Sequence, residues 1–169
     1  MTEVSKIRIQ IPDAPKNLWR RMLRKVTTKD GRRKPNLNMG YWHAFEQKMG
    51  DGTMELECAD TKKEVSCSTV HCIAGWTTVL TPGGLAFEDK IKNKLDAYLT
   101  NEKFHEGLSD YVSGADGETG MAALLILEKA GWNEHVNWRD FVDVTETDGL
   151  KLIKRLAKLE GDRARKRKR

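Results

Sequence analysis

The stretch 66–80, Ser-Cys-Ser-Thr-Val-His-Cys-Ile-Ala-Gly-Trp-Thr-Thr-Val-Leu, is the least polar and most punctuated part of a chain in which 33% of residues are charged. Such a run has to be buried. Its spacing predicts a helix: Ser68 or Thr69 can cap the start, and Val70, Ile73, Ala74, Thr77 and Leu80 recur at helical intervals. Pro82-Gly83-Gly84 then stops the element. A mid-helix glycine costs about 1 kcal/mol relative to alanine, so Gly75 implies the close approach of another element.

The remaining chain supplies elements to pack around that helix. Residues 4–11 alternate, with Ile7, Ile9 and Ile11 on one side, and read as a strand ended by Pro12. After Pro15, Leu18, Trp19, Met22, Leu23 and Val26 form a helical stripe opposed by Arg20, Arg21, Arg24 and Lys25. Residues 27–35, with Asp30-Gly31 at their turn, read as an exposed loop. Asn38 can cap a helix with Tyr41, Trp42, Phe45 and Met49 on its apolar face and Gly50 beyond its end. Residues 54–58 alternate, as do Val65 and Cys67, which predicts a short hairpin. Phe87, Ile91, Leu95, Tyr98 and Leu99 mark an amphipathic helix, and the three glycines of 113–120 a turn-rich loop. The apolar run 121–127, closed by Gly131, reads as a second buried helix and the natural neighbour of Gly75. Trp132, Trp138 and Phe141 fall in a connecting segment. A last helix opens at 145–148 and carries Leu150, Ile153, Leu156, Ala157 and Glu160 on one face. The fold class expected is mainly α (α+β), a compact helical domain around a buried central helix with two or three short β-strands.

With 169 residues the chain suits one globular domain, 1–160, followed by a basic flexible tail, 161–169. No apolar run approaches the roughly 18 residues that span a bilayer, and the N-terminus lacks the apolar segment of a signal peptide. A cytoplasmic location without membrane contact is the expectation. Three cysteines, an odd number, point to reduced thiols rather than a disulfide framework.

Charge is informative once divided. The tail holds six basic residues against Asp162, which equals the whole net excess of +5, while 16–34 carries nine against Asp30. Residues 35–160 are net acidic. Two basic segments therefore flank an acidic body. Phosphate contact with counterion release would give such segments salt-sensitive, sequence-independent binding to DNA or RNA. The residues that would carry it are Arg20, Arg21, Arg24, Lys25, Arg32, Arg33 and Lys34, together with Arg163, Arg165, Lys166, Arg167, Lys168 and Arg169. Trp19 would stack on a base if exposed, although its place in the apolar stripe assigns it to the core.

Two other constellations carry chemistry on paper. Cys58, Cys67, His71 and Cys72 supply four nitrogen or sulfur donors, a number that suits tetrahedral zinc. Their spacing does not, since Cys67 and Cys72 are five apart, and buried cysteines acting as small hydrophobes account for them more simply. Cys67 at a helix start with His71 one turn on has the makings of a nucleophile and base, but no orienting carboxylate or oxyanion hole accompanies them. His43, His105 and His135 are scattered among polar neighbours and read as surface positions. No cofactor is expected.

The run Cys67-Ser-Thr-Val-His-Cys-Ile-Ala-Gly-Trp76 resembles a signature, C-G-T-x-x-C-x-A-G-W, of small, largely uncharacterised proteins of bacteriophages and bacteria. Asn38, Met39 and Trp42 upstream and Val144-Thr145 before the last helix are similar in layout. Ser68 stands where the signature has glycine. The resemblance implies a phage or phage-derived origin and brings no activity with it. The resulting expectation is a non-enzymatic, phage-related accessory protein holding nucleic acid through basic arms. The alternatives are a phage-encoded protein that binds and modulates a host protein through its acidic body or the 87–99 helix, and a small zinc-binding or thiol enzyme.

Overall fold

The computed structural model describes residues 10–39, 43–48, 54–58, 70–99, 117–137, 139–142 and 144–167. In them the elements run α1 (Leu18–Val26), β1 (His43–Lys48), β2 (Met54–Cys58), β3 (Val70–His71), α2 (Ile73–Leu80), α3 (Gly84–Leu99), α4 (Gly117–Lys129), α5 (Arg139–Val142) and α6 (Glu146–Lys166). The architecture is mainly helical.

The amphipathic stripe after Pro15 becomes α1, which buries Leu18, Trp19, Met22 and Val26. Each such side chain removed from water contributes about 1.5–3 kcal/mol, more than a nine-residue helix could gain from propensity alone. Its partner is α6, whose buried row is Gly149, Leu152, Ile153, Leu156, Ala157 and Glu160. Thr145 caps α6 as its sequence predicts, accepting the Asp148 N–H at 3.2 Å while Asp148 lies in the first turn. Lys151 and Thr145 hold the Asp148 carboxyl below the ordinary aspartate range.

Helix α2 lies at the centre, packed on α1, α3 and α4. Residues 73–78 are all buried, and the threonine hydroxyls are satisfied by the helix's own carbonyls. Thr77 donates to Ile73 O at 2.9 Å, Thr78 to Gly75 O at 3.0 Å and Thr81 to Thr77 O at 2.7 Å. One core joins Trp19, Ile73, Trp76, Leu127, Trp132, Phe141 and Leu156, and a smaller one joins Phe87 and Ile91 of α3 to Ala122 and Ile126 of α4. A Cβ on Gly84 would lie 2.1 Å from Thr78 O, so only glycine lets α3 begin this close to α2. Gly131, with φ of 77°, ends α4: its N–H bonds Glu128 O at 2.9 Å and the Trp132 N–H bonds Leu127 O at 2.8 Å.

Several expectations are corrected. The central helix does not begin near 68; it begins at Ile73, and its cap is the Cys72 sulfur. The reason is that the backbone just before it is extended: the His71 N–H bonds Asn36 O at 3.0 Å and His71 O accepts the Asn38 N–H at 3.1 Å. Ser68 and Thr69 lie outside the described residues. The helix expected after Asn38 is replaced by extended backbone, with His43–Lys48 antiparallel to Met54–Cys58 from Ala44↔Cys58 to Lys48↔Met54 and to β3 through His43↔His71, in the order β2-β1-β3. The strand expected at 4–11 is not seen in Gln10 and Ile11, and its other residues, like Val65 and Cys67, lie outside the described set. Gly117–Gly120, expected in a loop, form the first turn of α4, anchored by a hydrogen bond from the Thr119 hydroxyl to Glu88. Finally, α6 does not stop at 160 to release a flexible tail: it runs to Lys166.

Candidate nucleic-acid interface

The first basic segment lies against the helix that carries the second. α1 packs antiparallel to α6, with the α1 N-terminus against Glu160 and Gly31, beyond the α1 C-terminus, against Lys154. The Glu160 carboxylate is 4% exposed and acts as a cap supplied from the other end of the chain. It accepts the main-chain N–H of Trp19 and of Arg20 at 3.1 Å each, in place of Asn17, whose side chain makes no capping bond. The Arg20 Nε donates to the same carboxylate at 3.1 Å. Arg20 is therefore committed to holding α1 on α6.

The other α1 cations face water. Arg21, Arg24 and Lys25 are exposed and make no ion pair or side-chain hydrogen bond among the described residues. The segment after them is an ordered hairpin rather than a loose loop. The Thr28 N–H bonds Arg32 O at 2.8 Å, the Gly31 N–H bonds Thr28 O at 3.0 Å, and the Lys34 N–H returns to Val26 O at 2.7 Å. Gly31 takes φ of 77° at its tip, a conformation that suits glycine. Within it Arg33 donates to Leu37 O at 2.9 Å, and Arg32 pairs with Asp30 at 3.5 Å in full solvent, a pairing worth little. Lys34 is half-buried.

The C-terminal candidates divide similarly. Arg163 is not on an arm: its guanidinium lies 4.1 Å from the Trp132 ring centroid, donates to Gly131 O at 3.4 Å and meets His135 Nε2 at 3.1 Å. Arg165 bonds Asp162. Lys166 and Arg167 are exposed, and Lys168 and Arg169 lie outside the described residues. Between the two sets lies a row that the division of charge by segment misses. Lys151, Lys154, Arg155 and Lys158 are all exposed on α6, opposite its buried face. Their three- and four-residue spacing within an amphipathic helix is the signal that marks them.

Trp19 is not available to stack on a base. It is fully buried, edge-on to Trp132 at 5.8 Å and 80°. Of the cysteine and histidine cluster, Cys58 lies in β2 and Cys67 outside the described residues. His71 is buried with its ring 4.8 Å from that of Trp76 at 75°. Cys72 is buried too, and its Sγ accepts the Gly75 N–H at 3.4 Å. Burial pushes its thiol up to about 12, against the weaker opposing pull of backbone N–H groups, which makes it a helix cap rather than a nucleophile. Among the described residues no three His, Cys, Asp or Glu side chains come together as a metal would require. His135, expected at the surface, is half-buried beside Arg163; His43 lies in β1, and His105 lies outside the described residues.

No helix among the described residues is long and apolar enough to cross a membrane. The chain matches no protein-family model, no curated protein and no solved structure.

Proposed function

We propose that this protein is a non-enzymatic accessory protein that holds nucleic acid through phosphate contacts, without reading base sequence. The observation that supports it is the packing of α1 on α6, the helix that carries the second basic segment, which leaves Arg21, Arg24 and Lys25 exposed beside an ordered basic hairpin. Lysine and arginine on a rigid helix release counterions on meeting phosphate, and the affinity then falls steeply with salt. Residues 67–76, through their resemblance to phage proteins, support a phage-related setting for this activity.

Fluorescence anisotropy with labelled DNA and RNA between about 50 and 200 mM salt tests the reading. Replacing Arg21, Arg24 and Lys25 together by glutamine should weaken binding and lower the slope of log K against log salt by about 2–3, near 0.9 for each duplex phosphate that is no longer neutralised. Their exposure means that the melting temperature should stay within about a degree or two of the parent's. A full chain with no salt-dependent affinity for any nucleic acid refutes the proposal.

A further inference from the structure

We infer that the ligand of this face is a duplex, and that its footprint extends from α1 along the solvent side of α6 through Lys151, Lys154, Arg155 and Lys158. The inference rests on the nucleic-acid reading above and adds both the residues and the form of the ligand.

Geometry carries the first half. By the 3.6-residue period, Lys154, Lys158 and Arg165 point within about 40° of one another and span about 16 Å of helix, with Lys151 and Arg155 beside them. The Lys154 ammonium reaches Gly31 O at 3.2 Å, so the row begins where the basic hairpin ends. Packed helices lie about 8–10 Å apart, so the α6 row and the exposed cations of α1 are carried by one rigid helix pair, linked at Lys154 and Gly31. Of the carboxylates along it, Asp148 lies at its border and Asp162 within it, bonded to Lys151 and Arg165 respectively.

The second half comes from what the face is made of. Single-strand binders combine charge with aromatic rings on which bases stack. Residues 18–34 and 146–166 contain one aromatic, Trp19, and it is fully buried. An array of lysine and arginine without stacking groups suits the ligand with the densest and stiffest phosphate array. A duplex carries one charge per about 1.7 Å of axis, twice that of one strand.

The test compares the full chain with a Lys154→Gln, Arg155→Gln, Lys158→Gln variant, using a DNA duplex, an RNA duplex, a single strand of the same length and anionic lipid vesicles. Both duplexes should bind at least about tenfold more tightly than the single strand, which finds no ring on this face to stack its bases on. On the DNA duplex the triple variant should lose about 2–3 from the salt slope. A matching triple lysine-to-arginine and arginine-to-lysine exchange should keep the slope, and circular dichroism should show all three proteins equally folded. Preference for the single strand, or binding to vesicles without duplex binding, overturns the inference. An unchanged slope in the glutamine variant overturns it too while leaving the α1 reading standing. Absence of nucleic-acid binding by the full chain overturns both.

Discussion

The Glu160 carboxylate receives the main-chain N–H of Trp19 at 3.1 Å across 141 positions of sequence. A helix N-terminus leaves its first N–H groups without intrahelical partners, and α1 meets that need with a side chain from α6. Removing the carboxylate strands two buried or half-buried donors and the Arg20 guanidinium at once. Glu160→Ala should cost about 2–3 kcal/mol. Glu160→Gln retains one acceptor oxygen and should cost about 1 kcal/mol. Urea unfolding of the two variants and the parent checks the order, and equal costs would show that the capping bonds contribute nothing.

Arg163 belongs by sequence with the phosphate-binding residues, and its surroundings set it apart from them. Stacked on Trp132 and bonded to Gly131 O, it ties the last turns of α6 to the end of α4. Arg163→Gln should lower stability by about 1 kcal/mol and speed amide exchange over residues 161–166, while leaving the salt slope of nucleic-acid binding unchanged. A reduced slope with undiminished protection would return Arg163 to the interface.

Cys72 gives a pH dependence with a definite sign. Its folded thiol is raised from 9.0 to about 12 by burial, so the unfolded chain releases the proton first as pH climbs. The contribution is complete below about 9 and is lost between about 9 and about 12. Cys72→Ser keeps a capping oxygen and removes that titration. Parent stability should fall faster than that of the serine variant across this window in urea midpoints. The folded parent should also resist alkylation at Cys72 near neutral pH, as read by site-resolved mass spectrometry.

Two helical glycines should respond differently to alanine. At Gly84 the new Cβ meets Thr78 O at 2.1 Å, a backbone atom that cannot step aside, and the destabilisation should reach about 3 kcal/mol. At Gly149 it meets the Met39 Sδ at 3.0 Å, the movable end of a flexible side chain. There a helix-propensity gain of about 1 kcal/mol offsets the repacking, so the midpoint should barely move. Thermal unfolding separates the two.

Much of this fold is legible where the pattern is local. The 3.6-residue stripe of α1, the Thr145 cap and the Gly131 ending of α4 all follow from near neighbours in sequence. The departures share a different cause. Tyr41, Trp42, Phe45 and Met49 fit a helical face, yet the backbone from His43 to Lys48 finds a partner in Met54–Cys58. Val70 and His71 continue the apolar pattern of α2, yet pair with residues beside Asn36 and with β1. Residues 161–166 look like a solvated tail until Arg163 meets a ring supplied by Trp132. The candidate interface is half legible for a further reason. Dividing charge by stretches of sequence averages Lys151, Lys154, Arg155 and Lys158 into a net-acidic middle, although a helix sorts its residues by direction and not by position along the chain.

Because the first helix is closed by a carboxylate 141 positions downstream, vectorial synthesis leaves it unfinished until codon 160 has been translated. A stop codon anywhere between 145 and 160 would therefore undo the beginning of the protein as well as its end.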